Sequence, residues 1–96
     1  MVKDLKITVY DIKGHCPVYD QGSEFYIRSG FKLDTDIEIC MHSLTSLMPY
    51  YIPLARGIEA SELGISNKEG KGLVQCLDPC EYTNGGTVTF EIEIIE

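Results

Sequence analysis

Apolar and polar side chains alternate at both ends of this chain and recur every three to four residues in its middle. In "LKITVYDI", Leu5, Ile7 and Val9 fall on one side and Lys6, Thr8 and Tyr10 on the other, the period of a half-buried strand. "TVTFEIEIIE" repeats the pattern, with Val88, Phe90, Ile92 and Ile94 on one face and Thr89, Glu91 and Glu93 on the other. Such alternation belongs to an antiparallel sheet with one dry side and one wet side. A third strand is expected at "SEFYIRS", after the turn residues of "DQG", and a fourth at "GLVQCL", which Asp78-Pro79 stops. Asn84 to Gly86, "NGG", reads as the turn into the last strand.

Between His42 and Arg56 the period changes. Leu44, Leu47, Met48, Tyr51, Ile52 and Ala55 recur at helical spacing, and Gly57 supplies a stop. Pro49 and Pro53 each remove an amide donor and crowd the carbonyl four residues back. A kinked helix, or two short ones, is therefore expected. The following "GIEASELGISNKEGKG" is polar and glycine-rich, the composition of a surface loop, with room for one helical turn at Ala60 to Leu63. Together these elements predict an α+β domain, residues 1–96: a mostly antiparallel four-stranded sheet with the helical segment packed on one face. Its inner set should include Ile7, Val9, Phe25, Leu47, Tyr51, Val74, Phe90 and Ile92.

Composition narrows the function classes. The chain has 96 residues, 44% of them hydrophobic and 24% charged, which is enough for one modest core without a metal or disulfide staple. The formal charge of −7 offers no basic footprint for a phosphate backbone or an anionic membrane. No apolar run approaches the length of a spanning helix, and the N-terminus lacks the apolar core of a signal peptide. A cytoplasmic location follows as the default, and cytosolic thiols are normally kept reduced. Glu91, Glu93 and Glu96 read as the solvated face of the last strand, not as a general acid and base. The glycines of "KEGKG" and "NGG" lack the setting of a phosphate loop.

The chemistry lies in six residues: Cys16, Cys40, Cys76, Cys80, His15 and His42. Cys76 and Cys80 have the Cys-x3-Cys spacing of one zinc-binding arm, but no second arm of that kind exists, so a site would have to be assembled by tertiary folding. His15 adjoins Cys16 and His42 follows Cys40 by two, positions from which a histidine can add a ligand or activate a thiol. Against these readings, unpaired cysteine is among the most buried residue types, and Cys76 in an apolar strand can simply pack as a small hydrophobe. A hydrolase would also need an oxyanion hole and an orienting group, and the sequence identifies neither.

Several of these segments together resemble a known family. "GHCP" after the first strand, "GSEF" in the second, Cys40 ahead of the helix, "SLMPYYIPLARG", "VQCLDP" and a final "TVTFEIEII" are similar to uncharacterised proteins of about ninety residues found largely in anaerobic bacteria and archaea. The resemblance implies a compact α+β domain and directs attention to Cys16, Cys40 and Cys76. It names no reaction, and Cys80 and Pro53 depart from the family pattern. We expect Cys76 to join Cys16 and Cys40, because it sits in a strand fixed by its neighbours, whereas Cys80 follows Pro79 in a turn. Three thiolates favour zinc or an iron-sulfur centre over harder cations. Two function classes are thus carried forward. One is a cysteine-based metal, iron-sulfur or redox accessory protein, with Cys80, His15 and His42 as candidates for a fourth position; the other is a non-catalytic interaction module that binds a like subunit through an exposed strand edge or the proline-rich helix face, with an unidentified protein or small-molecule partner.

Overall fold

The alternating segments at the two chain ends meet as the central pair of a sheet. In the computed structural model, which describes residues 2–95, the strands are β1 (Asp4–Gly14), β2 (Glu24–Arg28), β3 (Lys32–Asp34), β4 (Gly72–Gln75) and β5 (Gly86–Ile95). Their order across the sheet is β3-β2-β1-β5-β4, and each neighbouring pair is antiparallel. Glu96 lies outside the described residues. Pairing Leu5 with Ile94, Ile7 with Ile92 and Val9 with Phe90 puts the apolar sets of β1 and β5 on one face. The opposite face is polar, with Lys6 on Glu24 at 3.2 Å and Arg28 bridging Asp4 and Asp34.

One residue beyond Val9 the register slips, and Tyr10 is the extra residue of a β-bulge. Tyr10 stays exposed, and Ile12 comes opposite Val88 and packs against the core. Without the bulge, the period of two would have turned Ile12 to the wet face. Among the described residues the sheet has five strands where four were expected. The additional β3 is short and exposed at every position, so it carries no alternation to read. It is formed by the turn at Ser29 and Gly30, both at positive φ, where Phe31 N–H donates to Arg28 O at 3.1 Å.

The helical segment is one continuous helix, α1 (Met41–Ala55), and not two short pieces. Pro49 and Pro53 are four residues apart, so both missing amides fall on one side. The carbonyls they leave without an intrahelical donor belong to Thr45 and Pro49, which are exposed and open to water. The buried side of α1 is Ser43, Leu47, Leu54 and Ala55, packed on a core containing Phe25, Phe90 and Ile7. Met48 and Ile52, expected on the apolar stripe, face solvent instead. Of the expected inner set, Ile7, Val9, Phe25, Leu47, Phe90 and Ile92 are buried, whereas Tyr51 and Val74 are partly buried at the margin. The turn at Ala60–Leu63 is a 3₁₀ helix. Among the described residues no helix is long and apolar enough to cross a membrane.

Candidate functional site

β1 ends, β4 ends and β5 begins at the same end of the sheet, because Gly14 pairs with Gly86 and Gln75 with Thr89. The N-terminus of α1 reaches this end as well. The segments around His15, Cys40 and Cys76 are thereby brought together from distant parts of the sequence. They enclose a cavity of about 500 Å³ lined by Cys16, Cys40, Cys76, His15, His42 and Asp78, among others. Five of the six residues singled out from the sequence therefore line one space.

Glycines allow the close approach that builds this end. A Cβ on Gly86 would stand 2.6 Å from the carbonyl carbon of His15, and one on Gly14 would stand 2.8 Å from Cys80 Sγ. Cys76 lies one residue past β4 and is 9% exposed. Its N–H donates to Val88 O at 2.9 Å, and its sulfur accepts the Val88 N–H at 3.3 Å. The residue is thus clamped to β5 from both its backbone and its side chain. Cys16 is half-buried in the loop after β1, and its sulfur accepts the Tyr19 N–H at 3.4 Å. Cys40, also half-buried, is the residue before α1, and its side chain makes no capping hydrogen bond.

A buried polar network joins these loops. Ser43 Oγ donates to Cys40 O at 2.7 Å, so in its 2.7 Å contact with Tyr19 the phenol must be the donor. The same phenol oxygen accepts the Cys40 N–H at 2.9 Å. Tyr19 therefore holds Cys16 through its own amide and Cys40 through its hydroxyl. Burial pushes the Tyr19 phenol above its ordinary range, an effect opposed by its hydrogen bonding with Ser43 and with the Cys40 N–H. Edge-on packing of its ring against Phe90, 5.4 Å between centroids, ties the network to the core.

At the opposite wall Asp78 accepts hydrogen bonds from the Thr83 hydroxyl and from Cys80 N–H. These bonds, the Thr83 one foremost, hold its carboxyl below the usual range, with a smaller contribution from nearby His42. His15 and His42 are exposed and form part of the rim. Cys80 is the residue that does not join the set. It has a positive φ of 59°, and its sulfur points to Lys13 O at 3.5 Å and Gly85 O at 3.8 Å, closing the outside of the β1 and β5 junction. All four cysteines are free thiols. Among the described residues no group of three or more His, Cys, Asp or Glu side chains stands close enough together to hold a metal ion.

Tyr19, Ser43 and Asp78 are the residues sequence reasoning missed. Tyr19 sits in a loop with no period, and Ser43 lies off the apolar stripe. The one available signal for Asp78 was its place in the Cys-x3-Cys segment. No known family, curated protein or solved structure matches the chain.

Proposed function

We propose that this protein is a cytosolic metal or redox accessory protein that holds a thiophilic centre between Cys16, Cys40 and Cys76. One observation carries the reading: three thiols from three separate segments line a single cavity, while the fourth lies outside it. A volume of about 500 Å³ falls in the range of small-molecule and cofactor sites and is far larger than one ion. Zinc and an iron-sulfur cluster both fit such a space, and either would require the Cys16 and Cys40 loops to draw inward on Cys76, because the three thiols do not stand together as a ligand group in this fold. His15 and His42, which line the same cavity as the three thiols, are the candidates for a last coordination position. Cys76 would be the fixed ligand, and Tyr19 the residue that positions the other two. On the motifs that carry these cysteines, we also propose membership of the family resembled in the sequence.

The test is metal and sulfide analysis, with an absorption spectrum, on protein purified without oxygen and reconstituted with iron and sulfide or with zinc. Cys16→Ser, Cys40→Ser and Cys76→Ser should each lose the bound centre, and Cys80→Ser should keep it. Wild-type protein that retains neither metal under these conditions would refute the reading. The second reading, an interaction module, is favoured by exposed apolar residues on a different face, Phe31, Leu33 and Met48, and is compatible with the first.

A further inference from the structure

The two edges of the sheet are treated differently. Along β4, the loop after the 3₁₀ turn runs back over the edge: Ser66 bridges to Gly72, and Leu73 N–H donates to Ile65 O at 2.8 Å. β3 is the last strand on the other side, and no described strand pairs with its outer edge. Its protection is limited to its three-residue length and the charges of Lys32 and Asp34, for it has neither proline nor a bulge, and its central residue Leu33 is 45% exposed. Next to it Phe31 is 73% exposed and Met48 of α1 54%. Between β3 and α1 runs an apolar groove of about 140 Å³, lined by Ile27, Leu44, Met48 and Tyr51 as well as Phe31 and Leu33.

We propose that this edge is the interface of a homodimer, in which two copies pair their β3 strands antiparallel about a twofold axis through Leu33. The occupant is identified by self-complementarity. With Leu33 on the axis, Lys32 of each copy stands opposite Asp34 of the other, so the seam places opposite charges in register twice. This matters for a chain of net charge −7, whose copies otherwise repel. Leu33 pairs with the buried Ile27 across the hairpin and so faces the helix side of the sheet. Leu33 of the second copy, directly opposite, faces the same side and extends the apolar surface over the groove. A three-residue seam alone falls short of the roughly 800 Å² per partner of a standard interface. Phe31, Met48 and the groove walls provide the remaining apolar area. The result is one continuous ten-stranded sheet, with both cysteine cavities left open at the far strands.

Sedimentation equilibrium across roughly 1 µM to 1 mM, the range that separates weak from ordinary dimers, tests the proposal. Wild-type protein should approach twice its 10.8 kDa mass. Leu33→Glu sets two carboxylates on the axis and Lys32→Glu sets one against Asp34; each should weaken the dimer by about a hundredfold or more. Both positions are exposed, so circular dichroism of the two variants should match wild type. Tyr82→Glu, at an exposed site remote from β3, should dimerise normally. A wild-type monomer over the whole range would overturn the proposal. So would a dimer that survives both β3 substitutions, because its interface would lie elsewhere. Should Leu33→Glu fail to fold, Lys32→Glu decides alone by the same criterion.

Discussion

Replacing Tyr19 by Phe removes one oxygen and leaves the ring, so packing on Phe90 is retained while the link between the two loops is cut. Two hydrogen bonds disappear. Ser43 Oγ still donates to Cys40 O, but the Cys40 N–H loses its acceptor in a half-buried position. An orphaned buried donor costs about 1 to 3 kcal/mol, so a loss of about 2 kcal/mol is expected. For a domain of this size each kcal/mol lowers Tm by about 4 to 8 °C, giving a drop of roughly 10 °C. Urea denaturation with an unchanged slope should report the same loss, and Cys40 should alkylate several-fold faster in the folded protein. Tyr10→Phe, at the exposed bulge, is the control and should fall within about 0.5 kcal/mol of wild type. Ser43→Ala shares the same bond, so the double variant should be less destabilised than the sum of the two. A Tm loss under about 2 °C for Tyr19→Phe, with Cys40 alkylation unchanged, would refute the positioning role.

Three further outcomes follow from the packing and the electrostatics. Phe90, with no exposed surface, packs edge-on against both Tyr19 and Phe25, so Phe90→Ala should cost about 3 to 5 kcal/mol in urea melts; less than about 1 kcal/mol would place it outside the core. Asp78 has a lowered folded pKa, so its stabilisation is present above the unfolded carboxylate range and is lost as pH falls through the folded value. Asp78→Asn should therefore flatten the acid limb of the stability profile, and an unaltered acid limb would contradict the Thr83 and Cys80 bonding. Gly86→Ala should lower Tm well beyond the roughly 1 kcal/mol of an average substitution, because the new methyl meets the His15 backbone and not a movable side chain; a neutral melt would refute the close approach.

What could be read in the sequence was whatever burial writes directly onto the chain. Leu5, Ile7 and Val9, and later Val88, Phe90 and Ile92, are buried at every second position, and a period of two predicts that. β3 was illegible for the converse reason: a strand exposed at each residue leaves no contrast, and only its turn holds it in place. The extent of α1 was legible but its inner face was not. Ser43 turns inward because Tyr19 and Cys40 satisfy its hydroxyl, a tertiary effect that hydrophobic spacing does not contain, and Met48 and Ile52 are left outside as a consequence. In the same way the sequence named the soft ligands without saying that they meet. Their convergence depends on the strand order, which sets β1 and β4 on either side of β5 so that both end beside its first residues. It also depends on Tyr19, which nothing local distinguishes from the other tyrosines.

The measurement that bears most directly on a shared thiol centre is differential alkylation read residue by residue by mass spectrometry, on protein reconstituted without oxygen and on the same sample after chelation. Cys16 and Cys40 are half-buried and should react in the chelated protein. In the loaded protein both should be protected together, in proportion to bound metal, with Cys76 unreactive throughout. Cys80, whose sulfur faces Lys13 and Gly85 outside the cavity, should react at one rate in both samples. Loaded protein in which Cys16 and Cys40 alkylate at their unloaded rates, or in which Cys80 is the thiol protected, would contradict a centre held by Cys16, Cys40 and Cys76.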